Sequence, residues 1–327
     1  MKRTAEWLFV FMALGGLASA PATRAWGCKG HQTIAYLAEL HLTPDAKQMI
    51  HQLLTDNPVD PALKRWCGGG GLDEMADSST WADDYRDLDR TVNKSHPTAD
   101  WHYIDIPFGA AKDQVEQYCG PGGCVTKAIT EQLAILKNKN APGPERTMAL
   151  RFILHFVGDL HQPLHAADND DRGGNCVPLK YFRRNPHLRK GSYTPNLHHI
   201  WDTELVEAEM QGADPAEFAD TLEAQFAGSF AGWQQDGVQV GTWASESHGH
   251  AIETAYGALA VNIAAEPAGV TVKSCADDNN IGDRMLHKHI VVSTAYQDTA
   301  QSVIEERLAQ AGIRLAMILN DAARATP

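Results

Sequence analysis

The feature that most constrains this sequence is the segment 151–165, which reads RFILHFVGDLHQPLH. Its apolar residues recur at the i, i+3, i+4 spacing of a helix with one buried face. His155 and Asp159 are one helical turn apart at the edge of that face, so their side chains can converge. Pro163 ends the helix, and His165 can therefore turn toward the same centre.

These donors suit zinc, because Zn²⁺ binds imidazole nitrogen and carboxylate oxygen. The alternative is a buried helix whose histidines bond to the backbone. His161 is six residues after His155 and does not share its face, so we interpret it as a structural or supporting residue. The rest of the chain must supply further ligands.

The first 25 residues have the pattern of a secretory signal peptide, with a basic start, a short apolar run and small residues at the end. Cleavage could follow Ala20 or Ala25, and only the second site makes Trp26 the amino terminus. We therefore expect a secreted or periplasmic protein whose mature chain forms one domain, which spans residues 26–327 if the second site is the one cleaved. No other segment is apolar enough to span a membrane.

The six cysteines of this exported chain indicate disulfide bonds rather than free thiols. Cys119 and Cys124 flank a flexible Gly-Pro-Gly-Gly turn, which favours a local bridge. The other four cysteines allow three pairings, of which we favour one that joins Cys28 to Cys67.

The net charge of the chain is −13. Such a surface repels a polyanion at long range, which disfavours a nucleic-acid-binding module that relies on a basic face. An enzyme that meets phosphate through bound metal ions escapes this objection, because the ions are the largest local charges.

Further donors accompany other predicted elements. We predict helices near 31–41, from 43 onward, and near 125–138, 215–230, 242–263 and 291–322, with an extended segment near 99–108 and a long loop over 166–195. His198 and Asp202 repeat the i, i+4 geometry of the first pair. Eight donors exceed what one tetrahedral zinc can take. They are His31, Asp83, His102, His155, Asp159, His165, His198 and Asp202.

Five motifs follow one another in this chain: the run that begins at Trp26, then WADDYR, WHYIDIP, HFVGDLHQPLH and NLHHIWD. In this order they make the chain resemble the S1/P1 nucleases, which are zinc-dependent single-strand nucleases and 3′-nucleotidases. The motifs extend to about Asp202. The resemblance implies a mainly α, single-domain helical bundle of the phospholipase C/P1 nuclease type, with a trinuclear zinc cleft.

Carried over by position, the resemblance implies three Zn²⁺ ions and removal of the signal after Ala25, which frees the Trp26 amine as a ligand. Asp159 would bridge two of the ions. The first ion would be held by Asp83, His102, His155 and Asp159, the second by Trp26, His31 and Asp159, and the third by His165, His198 and Asp202.

The resemblance also implies the activity. The chain would be a secreted phosphodiesterase that cleaves single-stranded DNA and RNA to 5′-mononucleotides by a metal-activated hydroxide, with 3′-nucleotidase activity. Nucleic acid and 3′-nucleotides would be its partners, and a monomer without an obligate protein partner is expected.

Candidate catalytic residues are Arg86 and Asp105. Arg86 could clamp a phosphate oxygen, and a salt bridge to a nearby acid such as Asp83 is an equal alternative. Tyr103 matches an aromatic residue that stacks a base, and Asp105 matches the carboxylate that binds the edge of the base.

Arg172 and Asn175 complete the candidate substrate residues. Fungal members of the family carry an aliphatic residue where Arg172 precedes Gly-Gly-Asn, so base preference stays open. Apolar residues and a proline follow Asp105 where the family has an acidic residue, and no general acid is assigned.

Two alternatives are weighed against the nuclease. A zinc phospholipase C has the same fold, but its last carboxylate is typically a glutamate, whereas this chain has Asp202 and the WADDYR motif. A zinc-binding protein without turnover would explain the ligands but not the neighbouring Arg86 and Tyr103.

Overall fold

The computed structural model describes residues 26–63, 65–67, 74–91, 98–111, 114–189, 191–263, 274–275 and 281–325. The signal peptide predicted for residues 1–25 lies outside these ranges, and the domain bounds 26–327 stay an expectation. None of the described helices has both the length and the apolar character needed to cross a membrane.

The described chain is mainly helical, as the sequence predicted. The α-helices are α1 Gly27–Leu40, α2 Pro44–Asp56, α3 Glu74–Ser78, α4 Trp81–Thr91, α5 Val125–Lys137, α6 Gly143–His161, α7 Leu197–His199, α8 Leu205–Met210, α9 Pro215–Phe226, α10 Phe230–Gln234, α11 Val240–His250, α12 Ile281–Leu286 and α13 Thr294–Arg324. Short 3₁₀ helices are Ala99–His102, Val115–Tyr118 and Pro163–His165, and π-helical turns are Ile200–Glu204 and Ala251–Tyr256.

Helix α6 lies in the centre of the bundle and is buried over most of its length. It packs against α1, α2, α4, α5, α11 and α13. The long helix α13 also packs along α1, so that three helices share one apolar core. The donors of α6 are therefore held on a buried helix that is packed on several sides.

Two small sheets accompany the helices. Strand β1 (Lys180–Tyr181) pairs in parallel with β4 (Val291–Val292), and β2 (His187–Arg189) pairs antiparallel with β3 (Ser192–Thr194). The segment predicted as a loop over 166–195 thus contains the first three of these strands.

Several predicted helices begin where local chemistry places a cap. Thr43 accepts a hydrogen bond from the Ala46 amide at 3.3 Å, with Pro44 as the first helical residue. The last helix starts at Thr294 rather than near 291, because Ser293 caps it and the preceding two residues pair as β4.

The predicted extended segment near 99–108 differs from expectation at its start. It begins as a 3₁₀ turn and extends only from Tyr103. Around this point His102 and Ile104 are buried, whereas Asp105 is exposed.

Three disulfide bonds cross-link the bundle. Cys119–Cys124 and Cys28–Cys67 are the pairs that the sequence favoured, and Cys176–Cys275 is the third. The bond from Cys28 ties the first turn of α1, beside the donor cluster described below, to the segment that precedes α3.

Candidate metal centre

Helix α6 aims the ring of His155 at two carboxylates. The His155 Nδ1–H donates to the Ser79 carbonyl at 2.8 Å, which leaves the lone pair on Nε2. That nitrogen lies 3.3 Å from an oxygen of Asp159 and 3.7 Å from one of Asp83. All three side chains are buried.

Asp159 lies between two sets of imidazoles. Its Oδ2 is 2.9 Å from Nδ1 of His102, and its Oδ1 is 3.3 Å from Nε2 of His31. The rings of His31 and His155 stack with centroids 4.0 Å apart. One carboxylate oxygen thus faces each side, which is the arrangement that a bridging ligand requires.

A further group forms beyond the end of α6. The Nδ1–H of His165 donates to the His102 carbonyl, and that of His198 donates to the Gly173 carbonyl, each at 2.7 Å. The two Nε2 atoms face each other at 3.1 Å. In neutral histidines both carry lone pairs, so a cation or a proton between them is required to relieve the repulsion.

Asp202 completes this group. Its Oδ2 is 3.4 Å from Nε2 of His198, and its Oδ1 is 4.0 Å from Nε2 of His165. The helix that carries His198 and Asp202 is locally π-helical over Ile200–Glu204, a distortion often found at functional sites.

Donor atoms in each of three groups therefore lie within 4.8 Å of one another. The groups are His31, His155 and Asp159, then Asp83, His102 and His155, and finally His165, His198 and Asp202. All eight donors named from the sequence are included in these groups.

The donor sets fit a metal ion. Asp159 Oδ1, Asp202 Oδ2, His155 Nε2 and both ring nitrogens of His31 are buried without a hydrogen-bond partner. A buried polar atom left unpaired costs about 1–3 kcal/mol. Nitrogen and carboxylate oxygen are the donors that Zn²⁺ takes, and coordination would satisfy these atoms.

The carboxylates of the groups differ in electrostatics. Burial opposes the ionisation of Asp159, but the histidines that face it hold its pKa well below the usual range. Burial raises the pKa of Asp202 well above that range, although the Gln162 amide opposes this. Asp202 therefore depends more on a cation to remain a carboxylate.

Trp26 lies directly behind the first two groups. It is fully buried, and its indole Nε1–H donates to the Gly158 carbonyl at 2.9 Å, next to Asp159. Helices α1 and α6 also approach closely at His31, because a Cβ added at Gly158 would lie 2.8 Å from Nδ1 of His31. The start of α1 is therefore held against the donor-bearing turn of α6.

Arg86 is buried and forms the ion pair that was one of its two predicted roles. Its Nη2 lies 3.0 Å from Oδ1 of Asp83. The guanidinium thus lies beside a candidate ligand, and contact with a phosphate stays a prediction.

Tyr103 and Asp105, the candidate base-binding residues, both lie near other acidic side chains. The Tyr103 hydroxyl donates to Asp100 at 2.9 Å. The Asp105 side chain keeps contact with solvent, but the protein atoms around it partly desolvate the carboxylate. This desolvation and the charges of Asp168 and Asp100 raise its pKa to about 7, and Arg172 opposes that rise. The structure thus places Asp105 in an electrostatic cluster with residues of the loop after α6.

The side chain of Asn175 turns back on its own loop, where Nδ2 donates to the Arg172 carbonyl at 2.8 Å. His161, which the sequence separated from the donors, donates to the Val157 carbonyl at 2.7 Å and lies in none of the three groups.

Sequence reasoning missed residues that hold these donors in place. Gln162 Nε2 donates to Asp202 Oδ1 at 2.6 Å. Asp171 accepts from the Gly174 amide and from the Tyr256 hydroxyl, both at 2.7 Å. The Asp-rich run before the two glycines was the available signal for the Asp171 contacts.

Asp171 and Asp168 shape the turn that presents a carbonyl to His198. Asp168 Oδ1 accepts from the Gly173 amide at 3.1 Å. Gly173 has φ +58°, and a Cβ there would lie 2.5 Å from the Leu164 carbonyl oxygen. Only glycine allows this close approach.

Comparison with known proteins gives concordant matches. Residues 26–324 match the family model described as S1/P1 Nuclease. Nuclease S1 of Aspergillus oryzae (strain ATCC 42149 / RIB 40) is 30% identical over 309 residues, covering 93% of this chain and 94% of that protein. Endonuclease 5 of Arabidopsis thaliana is 28% identical, with 92% of each chain covered. Nuclease P1 of Penicillium citrinum is 24% identical, covering 90% of this chain and 97% of that protein.

Proposed function

The chain belongs to the S1/P1 nuclease family, and on that premise we propose that it cleaves single-stranded DNA and RNA to 5′-mononucleotides and also hydrolyses 3′-nucleotides. As a member of this family it is a metal-dependent hydrolase that acts on nucleic acid. The observation that carries the proposal is the pair of Nε2 lone pairs of His165 and His198 facing each other at 3.1 Å.

We assign three Zn²⁺ ions to the donor groups, with Asp159 shared by two. Bound zinc would supply a hydroxide nucleophile near neutral pH and neutralise charge that develops on the phosphate. Carbonyl acceptors on Ser79, His102 and Gly173 hold three imidazoles in the tautomer that leaves Nε2 able to coordinate.

Trp26 is proposed as a ligand through its backbone amine and carbonyl. This requires that residues 1–25 are removed as a signal peptide and that residues 26–327 form the mature domain. The anchoring of the indole to Gly158, one residue before Asp159, supports the assignment. A secreted or periplasmic location is consistent with the three disulfides.

The remaining residues are assigned to the substrate. Arg86 carries a positive charge beside Asp83, at the edge of the group of Asp83, His102 and His155, where it could bind a phosphate oxygen. Tyr103 would stack a base and Asp105 would bind its edge, with Arg172 and Asn175 on the opposite loop. Stacking needs an unpaired base, which accounts for a preference for single strands.

A phospholipase C is not favoured, because the matched family and the curated relatives are nucleases. The enzyme is proposed to act as a monomer without an obligate protein partner.

The test uses the mature secreted protein. Amino-terminal sequencing and zinc quantitation on one sample are followed by incubation with single-stranded DNA, RNA, a 3′-nucleotide and phosphatidylcholine, with and without chelator. We expect Trp26 at the terminus, about three zinc ions per chain and chelator-sensitive release of 5′-mononucleotides. Lipid hydrolysis without nucleic-acid cleavage, or zinc without either activity, would contradict the proposal.

Two adjacent histidines provide a matched control. His198→Ala removes a donor of the third group, whereas His199 bonds instead to Glu204 at 2.8 Å. We expect the first variant to lose zinc and activity and His199→Ala to keep both.

A further inference from the structure

The segment 172–201 contains no aspartate or glutamate, although the chain has 41 acidic residues and a net charge of −13. The same segment contains Arg172, Lys180, Arg183, Arg184, Arg189 and Lys190. A strongly cationic stretch in an acidic protein indicates a local surface for an anion rather than a general property of the chain.

Four of these cations belong to one substructure, residues 180–189 and 191–194, which we call the basic arm. It starts with β1 and continues through a tight turn into the β2–β3 hairpin. The turn is closed in both directions, since the Tyr181 and Arg184 amides each donate to the other residue's carbonyl, at 3.0 and 2.9 Å. Lys180 and Arg183 are exposed.

The basic arm also presents apolar groups to solvent. The exposed fractions of Phe182 and Leu188 are 46% and 51%. Phe182 occupies a left-handed backbone conformation (φ 49°), which is uncommon for a bulky residue, and it meets the edge of Tyr181 at a centroid distance of 4.8 Å. Exposed aromatic rings between cations are typical of surfaces that bind single-stranded nucleic acid.

The two ends of the arm lie close to the donor group of His165, His198 and Asp202 in the sequence and in the fold. The Leu179 amide donates to the Pro195 carbonyl at 3.2 Å, which joins the two ends of the arm. The chain leaves the arm at Asn196, whose side chain caps the helix that carries His198. A polynucleotide held along the arm would therefore lie next to the cleft.

We propose that the basic arm binds the phosphates and bases of single-stranded nucleic acid away from the scissile bond, so that long strands are bound more tightly than short ones. The inference rests on the proposed nuclease function. Lys180 and Arg183 would contact phosphates, and Phe182 would stack a base. Arg184 instead anchors the arm, since it pairs with Glu204 at 2.6 Å.

The location distinguishes nucleic acid from an anionic membrane as the partner. A membrane-binding surface needs no connection to the donor groups, whereas the arm ends at Thr194, four residues before His198.

The test compares a long and a short substrate on the zinc-loaded enzyme. Steady-state kinetics are measured with a single-stranded oligo(dT) of about 20 nucleotides, which exceeds the site of about 4–16 nucleotides typical of a single-strand-binding fold, and with a dithymidine dinucleotide, over a range of salt concentrations. The variants are Lys180→Gln/Arg183→Gln and, separately, Phe182→Ala. Lys47→Gln/Lys139→Gln removes the same charge outside the arm and serves as the matched control.

For the 20-mer, log(kcat/KM) should fall as log[salt] rises. We expect the double variant to make this negative slope shallower by about 1.4, since each phosphate contact on a single strand contributes about 0.7. Phe182→Ala should raise the KM for the 20-mer about fivefold or more without changing that slope. The dinucleotide kinetics and the control variant should match the wild type.

Other outcomes would overturn the proposal. Equal effects on both substrates would place these side chains at the donor groups themselves, and unchanged kinetics on both would exclude the arm as a surface that binds nucleic acid. Unchanged kinetics with lost binding to phosphatidylglycerol vesicles would assign the arm to a membrane. A wild-type enzyme that cleaves neither substrate would overturn the nuclease function together with the arm, whereas the other outcomes leave that function intact.

Discussion

Helix α6 carries two buried histidines that have opposite surroundings. His155 and His161 both donate from Nδ1 to a backbone carbonyl. The Nε2 of His161 meets a guanidinium nitrogen of Arg314 at 3.0 Å, whereas the Nε2 of His155 meets only other potential ligands, with Asp159 at 3.3 Å. One lone pair is satisfied within the protein, and the other remains available for a cation.

The surroundings extend this contrast. Glu246 accepts from Arg307 at 2.9 Å and binds Arg314 through both of its carboxylate oxygens, and Arg307 also donates to Ser247 at 2.7 Å. We call these residues with His161 the arginine cluster. Burial and the two arginines hold the pKa of His161 well below its usual range, so that it stays neutral.

Burial also opposes the charged form of His155, but Asp159 and Asp83 outweigh it and raise the pKa of that ring. The comparison teaches that residue type and burial do not by themselves identify a metal site. What distinguishes the donor groups is that buried nitrogen and oxygen atoms converge and lack hydrogen-bond partners.

The largest effect is expected from Asp159→Asn, which removes the carboxylate that faces both His31 and His102. Zinc content should fall, and activity should decrease by at least about 100- to 1,000-fold, because charge stabilisation at the reacting phosphate is lost. Zinc quantitation and kcat measure this. Full zinc occupancy in the variant would reject the bridging role of Asp159.

Arg307→Met tests the opposite side of the comparison. It removes a buried guanidinium from a charge network whose acidic partner, Glu246, is partly exposed. The free energy of unfolding should therefore fall by about 2–4 kcal/mol, less than for a fully enclosed pair. Denaturant unfolding measures this, and the zinc content of the folded protein should be unchanged. Loss of zinc at unchanged stability would show that the arginine cluster belongs to the donor site.

Tyr103→Ala tests whether substrate binding can be separated from metal binding by the donor groups. The KM for nucleotides should rise about tenfold, with a smaller change in kcat, because stacking contributes to ground state and transition state alike. Zinc content serves as the control and should not change. An unaltered KM would assign Tyr103 to packing rather than to base binding.

The smallest effect concerns pH. Because the pKa of Asp105 is raised to about 7, its carboxylate form is lost as pH falls through 7. The KM for bases that donate to this carboxylate should therefore rise, by at most about tenfold, between pH 8 and pH 6, since the ionised fraction of one such group falls by that factor. Asp105→Asn should abolish this pH dependence, and its persistence in the variant would attribute it to another group.

The local spacing of residues was sufficient to predict much of this protein. The i, i+4 pairs on α6 and on the helix of His198 face inward because helical geometry places them on one side. Likewise, Pro163 ends α6 at His161, and the short turn between Cys119 and Cys124 allows their disulfide. Where predicted bounds differed, as at Thr294, a side-chain cap and a strand pairing determined the helix start.

Which helix faces meet was decided only by the tertiary structure. Asp159 lies between His31 and His102 because α1, α6 and the segment after α4 pack together, although His102 is 57 residues from Asp159 in sequence and His31 is farther still. The contacts of Trp26 with Gly158 and of Gln162 with Asp202 depend on the same packing. Sequence spacing specifies the side of a helix on which a donor lies, whereas its partners are set by the burial of the whole apolar core.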